Sequence, residues 1–398
     1  MTTFALWVLA ASVLLPVYAY AGYPLILWLL GRLRRAPASG TAAAAASVDG
    51  DWPRVSISIA VYNEEAQVRE LIKSLLALRY PRDRLQILIT SDGSTDGTDA
   101  IVAEYAAQGV ELLRMPERGG KTKAENAASQ RLTGEIIVNT DASTRILPDA
   151  LEPLIAAMRD PKVGCASGRD VSHGSDAGNA NRGESGYVGY EMTVRDLETA
   201  VSGIIGASGC FYAIRADLHR VPLPDTLSRD FAAALKAQEF GYRAVSVPTA
   251  LCLVPRGQSL RKEYRRKVRT IARGMRTLWY KRRLANPLRE GVFAWMLLSH
   301  KVVRWMIPWT GLTALLALAV LAPSHAWARV LVGAAVLVLG LAAVGWQLAE
   351  RPRVPKVFAV PAFLVAGNLA AAHALVRVIF GGTDAVWEPT RREVVKSA

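Results

Sequence analysis

The chain has 398 residues, 51% of them hydrophobic and 21% charged, with the charge gathered in its middle; this favours one sizeable soluble domain flanked by membrane segments over two or three soluble domains. A net charge of +14 raises nucleic acid as a partner, but Lys and Arg beside membrane spans serve anionic lipid equally well, and no nucleic-acid fold signature accompanies them. The three cysteines, Cys165, Cys210 and Cys252, lack metal-ligand spacing and are odd in number, which suits a reducing compartment and small apolar core positions.

Phe4 to Leu30 carries no charge over about 27 residues, more than the ~20 a spanning helix needs. No cleavage site follows; Gly31-Arg32-Leu33-Arg34-Arg35 follows instead, a basic stop that places the next segment in the cytosol. Ala36–Gly50, with its alanine run, reads as a linker.

From Val55 the pattern changes to alternating segments. Strands are predicted at Val55–Val61, Leu85–Thr90, Val110–Leu113 and Glu135–Asn139. Helices are predicted around Val68–Leu76, Thr95–Ala107 and Lys121–Arg131. Alternation of this kind implies a mostly parallel sheet with helices on both faces. Further on, Arg261–Arg283 reads as a basic amphipathic helix lying in the membrane interface. Three apolar stretches then follow, at Arg304–Ala322, Ala328–Ala349 and Val357–Phe380. His300, His325 and His373, in or near these stretches, read as neutral rings packed against Ser or Asn.

Open parallel sheets bind ligands at the carboxyl ends of their strands. Two acids fall there: Asp92, opening Asp92-Gly93-Ser94-Thr95-Asp96-Gly97-Thr98, and Asp141, in Asn139-Thr140-Asp141-Ala142-Ser143. Two carboxylates on one sheet edge suit a nucleotide and a divalent cation, since Mg²⁺ and Mn²⁺ take hard oxygen ligands and bridge to phosphates.

Taken in order, Val55–Glu65, Asp92–Thr98 and Gly134–Asp149 resemble the catalytic core of membrane-embedded family-2 inverting glycosyltransferases of the cellulose, chitin and hyaluronan synthase type. The resemblance covers roughly Val55 to Gly274 and implies an α/β domain of GT-A type plus transmembrane helices. It implies a UDP-sugar donor held by Tyr62, Glu64, Asp92, Lys121, Asp141 and Arg269, with Tyr62 and Glu64 bordering the base pocket and Asp92 reading the uracil. Asp141 matches the first acid of the family's Asp-x-Asp metal motif, and Ser143 stands where the second acid belongs. Asp141 and Ser143 are therefore the expected ligands of Mg²⁺ or Mn²⁺.

Asp230, in Leu227-Ser228-Arg229-Asp230-Phe231, matches the second acid of the family's Glu-Asp motif and is the expected general base. Arg229 replaces the first acid. Gly206-Ala207-Ser208-Gly209 resembles the glycine-rich acceptor loop, making Gly206, Ser208 and Gly209 the expected acceptor contacts. Arg269 matches the arginine of the Gln-x-x-Arg-Trp motif, whose Trp is Thr270 here.

The expected organisation is a span over 1–31, a linker over 32–52 and a cytosolic catalytic domain over 53–257. Interfacial helices over 258–303, membrane helices over 304–381 and a tail complete it. The expected activity is transfer to a polysaccharide or lipid-linked acceptor at an inner or plasma membrane, with membrane lipid and no nucleic acid as partners. A transporter or channel subunit and an inactive nucleotide-sugar-binding protein are the alternatives. Three spans after the catalytic domain put the C-terminus outside, whereas Arg391, Arg392 and Lys396 favour the inside; the sequence leaves both open.

Overall fold

The computed structural model describes residues 2–33, 52–173, 179–255, 259–351 and 354–382, without the side chains of 173 and 179–187. The Ala36–Gly50 linker and the tail with Arg391, Arg392 and Lys396 lie outside the described residues.

Among the described residues eight strands form one sheet: β1 Val55–Val61, β2 Leu85–Ser91, β3 Val110–Arg114, β4 Ile136–Asp141, β5 Arg145–Ile146, β6 Val163–His173, β7 Phe211–Arg215 and β8 Arg243–Pro255. Their order is β3-β2-β1-β4-β7-β6-β8-β5. The first four strands pair in parallel, as expected. The far half is mixed: β7 runs antiparallel to β4 and β6, β6 runs parallel to β8, and β5 is antiparallel to β8. Connections leave β1 towards β2 on one side and reach β4 on the other, so the strand order reverses beside β1. Ligands bind at such a switch point.

Period-two alternation explains the layers. Ile57, Ile59, Ile87, Ile89 and Val138 face one core with Leu71, Ile72 and Leu75 of the Glu65–Leu76 helix. Leu88, Ile137, Cys165 and Tyr212 face the other, with Ala128, Ala233 and Ala237 from helices on that side. Leu71 is fully buried, so truncating it to Ala costs roughly 2–5 kcal/mol. Cys165 and Cys252 are core residues, and none of the three cysteines forms a disulfide among the described residues. The expected helix over 95–107 is shorter, Thr98–Ala103, because Asp96 Oδ1 accepts from the Thr98 amide at 3.0 Å and holds the preceding residues in a turn.

Among the described residues four helices are long and apolar enough to cross a membrane: Thr2–Leu33, Val292–Leu321, Ala326–Gln347 and Lys356–Ile379. The first widens into a π turn at Tyr18–Gly22. Pro24 has no amide to give Tyr20, and the Tyr20 carbonyl accepts instead from the Tyr190 hydroxyl of the Asn179–Val201 helix at 3.0 Å. The second begins at Val292, earlier than the expected Arg304, and has its own π turn at Leu298–Val303. The two π turns meet through Tyr18 Oη and Ser299 Oγ, 2.7 Å apart.

The basic helix, Leu260–Tyr280, is present, but protein rather than lipid covers much of its apolar face. Ala362, Ala366, Ala370 and Ala374 form a stripe of small residues on the Lys356–Ile379 helix, and Leu260, Val268 and Ala272 pack into it. Trp279 and Tyr280 at the other end are exposed. The histidines also differ from expectation: His325 lies beside Ser324 Oγ, but His373 Nδ1 lies 3.1 Å from Tyr264 Oη. His300 sits between two carboxylates, 2.6 Å from Glu198 and 2.9 Å from Glu191.

Candidate active site

β1 and β2 end in register, Val61 opposite Ser91, so the turns that follow them interlock. Asn63 takes φ 50°, in the left-handed region that Asn tolerates, and its Oδ1 accepts from the Thr95 amide at 2.8 Å. The Glu64 amide donates to Thr98 Oγ1 at 2.9 Å. Tyr62 carries the Arg118 guanidinium over its ring at 3.8 Å, an amphipathic wall at the end of β1. Gly93 has φ +70°, and a Cβ there would lie 2.9 Å from the Arg118 amide nitrogen. Only glycine lets the 117–120 loop close over the end of β2.

Asp92 holds that loop. It is 1% exposed, and its two oxygens accept from the Gly119 and Gly120 amides at 2.7 and 2.8 Å. Its carboxylate thus faces the loop, where sequence reasoning had it facing a uracil. Gly120, at φ 93°, is the N-cap of the Lys121–Ala128 helix, so fixing its amide fixes where Lys121 starts.

Lys121 crosses to the end of β4 and ion-pairs with Asp141 Oδ1, with Glu125 at 3.9 Å on its own helix. Burial opposes the ammonium charge, but Asp141 and Glu125 prevail and raise its pKa, with Asp230 adding to them. Lys121 is therefore a permanent cation between two carboxylates of different strand and helix ends. Glu125 is buried; burial pushes its carboxyl upward against the pull of Lys121 and Arg229. Asp141 remains 30% exposed, and no protein donor is assigned to its Oδ2 among the described residues. Ser143 is half-buried two residues on.

Asp230 lies in the first turn of the Arg229–Glu239 helix. Ser228 Oγ donates to its Oδ1. Its Oδ2 faces Gly209, where a Cβ would stand 2.9 Å away. Gly206 in turn lies against Phe231, whose ring would be 3.2 Å from a Cβ at that position. The 206–209 loop thus lies directly on the Asp230-Phe231 pair. Ser208 is buried and turned inward: its amide donates to Ser167 Oγ at 2.8 Å and its hydroxyl to Asp170 Oδ1 at 2.6 Å. It anchors the loop to β6.

Arg229, in the place of the motif's first acid, is buried away from the cleft. It donates to Asn126 Oδ1 at 2.7 Å and to the His219 carbonyl at 2.9 Å, with Glu125 at 4.0 Å. Burial, reinforced by Arg229, keeps the His219 pKa well below its ordinary value. Arg269 is half-buried on the Leu260–Tyr280 helix. One turn further, Arg273 donates to Thr122 Oγ1 at 2.6 Å and to the Leu227 carbonyl, joining its helix to the first turn of the Lys121–Ala128 helix and to the segment ahead of Asp230. Sequence reasoning missed Arg273, Arg118 and Glu125. Glu125 was discoverable from its i+4 spacing to Lys121; the other two required the tertiary arrangement.

Tyr62, Glu64, Lys121, Asp141, Asp230 and the 206–209 loop therefore line the carboxyl ends of β1 and β4 and the opposing helix. One cation is held among three carboxylates, and one carboxylate oxygen opens onto a glycine-lined space. Among the described residues no group of three or more His, Cys, Asp or Glu converges as a metal cluster.

Residues 56–220 match the family model described as Glycosyl transferase family 2. A β-monoglucosyldiacylglycerol synthase of Nostoc sp. is 31% identical over 161 residues, 39% of this chain and 34% of that protein. A poly-β-1,6-N-acetyl-D-glucosamine synthase of Staphylococcus epidermidis is 30% identical over 210 residues, half of each chain. The chain thus spans about a third to a half of the length of these curated relatives. Among solved structures, a mannosyltransferase from Pyrobaculum calidifontis in complex with GDP-Man and Mn²⁺ superposes with a TM-score of 0.68 over 94% of this chain and 99% of that one, at 24% identity. This likeness supports the GT-A fold and the arrangement of domain and apolar helices.

Proposed function

Because the chain carries a glycosyl transferase family 2 domain over residues 56–220, we propose that it moves a sugar from a UDP-sugar to a polysaccharide or lipid-linked acceptor at a membrane, with inversion at the anomeric carbon. The observation that carries this reading is Lys121 held between Asp141, Glu125 and Asp230 at the switch point of the sheet. The relatives' names, one a glycolipid synthase and one a polysaccharide synthase, support the choice of acceptor.

In this reading the acceptor hydroxyl enters along Gly206 and Gly209, whose missing side chains leave it room beside Asp230. Asp230 Oδ2 takes its proton as the acceptor oxygen attacks the anomeric carbon from the face opposite the leaving group. The bond from that carbon to the diphosphate oxygen breaks, and the nucleoside diphosphate leaves carrying the electron pair. Lys121 supplies fixed positive charge to it, and Arg273 braces the start of the Lys121 helix against the segment ahead of Asp230. Asp92 shapes the donor pocket by holding the 117–120 loop, with Tyr62, Glu64 and Arg118 at its rim. Arg269 is assigned to the donor side, one turn from Arg273.

Asp141, through its available Oδ2, and Ser143 are the residues that would hold Mg²⁺ or Mn²⁺, one carboxylate being enough where phosphate oxygens complete the shell. That ion would supply further neutralisation of the diphosphate. The catalytic domain is assigned to the cytosol from Arg32, Arg34 and Arg35 beside the first span.

The test is the full-length protein in lipid nanodiscs, given a panel of UDP-sugars and GDP-sugars, with products identified by mass and anomeric configuration by NMR. Product from a UDP-sugar with inverted configuration supports the proposal. Turnover of GDP-sugars alone would correct the donor, retention would remove the single-displacement step, and turnover of none would remove the enzyme reading.

A further inference from the structure

A second cationic centre lies on the membrane side of the 206–209 loop. Lys301 belongs to the π turn Leu298–Val303 of the Val292–Leu321 helix. Its Nζ stands 5.3 Å from the Phe231 ring centroid, and its Cε would be 4.0 Å from a Cβ on Gly206. Since Phe231 follows Asp230, a residue of a membrane helix reaches within one position of the proposed base.

We propose that Lys301, with Arg195 behind it, binds a phosphate group on the acceptor, so that the acceptor is a phosphate-bearing lipid. The proposal rests on the transfer reading only for calling the ligand an acceptor.

The charge inventory carries it. The charges acting most strongly on Lys301 are Glu191, Arg195, Arg304 and Glu198. Both carboxylates are committed elsewhere: Glu191 to His300 and Arg304, Glu198 to His300, to the Tyr23 hydroxyl at 2.7 Å and to the Ile205 amide at 3.4 Å. Arg195 Nη1 is buried without a hydrogen-bond partner among the described residues. Asp196, next to it, bonds to Ser246 and is drawn to Arg169 as well as to Arg195. The Lys301 ammonium likewise makes no hydrogen bond or ion pair among the described residues; its one described partner is the Phe231 ring. Three cationic side chains thus share carboxylates that are each already engaged. Lys301 and Arg195 are half-buried; a cation partly withdrawn from water without a partner is costly, and an anion seated against the two relieves that cost.

Phosphate fits better than a carboxylate-bearing sugar chain because of where the pocket lies. Phe231, the ring against Lys301, belongs to one buried apolar cluster with Tyr23, Leu27, Phe293, Met296 and Leu297 of the membrane helices, so a ligand that reaches Lys301 has hydrocarbon beside it. The pocket is also distinct from the donor side. Lys121 answers to Asp141, Glu125 and Asp230, none of which is among the leading charges on Lys301. The 206–209 loop stands between the two centres, and Glu198 ties the start of that loop to the pocket through the Ile205 amide.

The test uses full-length protein in phosphatidylcholine nanodiscs doped with a polyprenyl monophosphate or with the matching uncharged polyprenol. Native mass spectrometry of the released protein reads bound lipid without any turnover, and acceptor KM, donor KM and kcat are measured in parallel. The expected result is retention of the phosphate lipid over the alcohol. Lys301→Met should lower that retention and raise the acceptor KM on the order of tenfold, the loss of one charge-assisted contact, with donor KM unchanged. Lys301→Arg should restore both, which a merely misfolded variant cannot do. Equal retention of the two lipids, or an acceptor KM indifferent to Lys301→Met, would overturn the proposal. Displacement by inorganic phosphate at equal concentration would overturn the lipid assignment. Retention that depends on Lys301 in a protein that turns over no donor would leave this site standing and remove the transfer reading.

Discussion

Lys121 and Asp141 form an ion pair across the switch point of the sheet, one from the start of a helix and the other from the end of β4. Asp92 makes this pairing possible by fixing the amides of Gly119 and Gly120 just ahead of Lys121. A residue with almost no exposure thereby governs the position of the cation.

Lys121→Met should leave the fold intact, because the pair is 24% and 30% exposed and a pair that water reaches contributes about 1 kcal/mol or less. Turnover should fall by roughly 10²-fold, the usual loss when one fixed positive group at a departing anion is removed. Steady-state kinetics beside a thermal unfolding midpoint separates the two effects. A large drop in midpoint with proportionate loss of activity would mean that Lys121 is structural.

Gly209→Ala places a methyl where Asp230 Oδ2 now sits 2.9 Å away. The carboxylate has to move, and a displacement near 1 Å costs on the order of 10²-fold in rate. Gly189→Ala, with nothing among the described residues within 4 Å of the new methyl, is the control and should be silent. Equal activity of both variants would separate the 206–209 loop from the chemistry.

Asp92→Asn keeps the shape of the side chain but replaces one acceptor oxygen by a donor facing a backbone amide. The 117–120 loop should loosen, raising the donor KM by about tenfold, since a buried donor left unpaired costs roughly 1–3 kcal/mol. Isothermal titration with UDP reads the change directly. Unaltered UDP affinity would detach Asp92 from the donor pocket.

Lys236, on the same helix as Asp230, is fully buried and donates to the Leu218 carbonyl at 3.1 Å. Burial, with repulsion from Arg229 and Lys281, pushes its pKa from the ordinary 10.5 down to about 7. Between those two values the unfolded chain binds the proton and the folded chain does not. Stability is therefore greatest above the unfolded value and falls as pH drops towards 7, with a slope of at most ~1.4 kcal/mol per unit. Thermal midpoints from pH 7.5 to 9.5 should rise, and the slope should flatten in Lys236→Met. An identical slope in the variant would place the titration elsewhere.

Much of the donor half was legible from local pattern. β1 lies where the alternation over Val55–Val61 places it, and Asp92 and Asp141 fall at strand ends because a strand of this length leaves little choice of terminus. The far half of the sheet was not legible, since β6, β7 and β8 carry no periodic sign of which neighbour or direction they take. Arg273 was hidden for a related reason: a basic helix offers cations on several faces, and only its packing on the alanine stripe of Lys356–Ile379 decides which one turns inward. His300 was misread because its partners, Glu191 and Glu198, lie more than 100 residues away on the Asn179–Val201 helix.

The carboxylate of Asp230 is the centre of the account, and Asp230→Asn tests it with one atom changed. With the purified full-length protein in nanodiscs, transfer from a UDP-sugar should fall by about 10²–10⁴-fold, the span expected for loss of a general base, while UDP affinity stays at the wild-type value. Undiminished transfer in that variant would contradict the assignment of the base and, with it, the shared site of Lys121, Asp141 and Asp230.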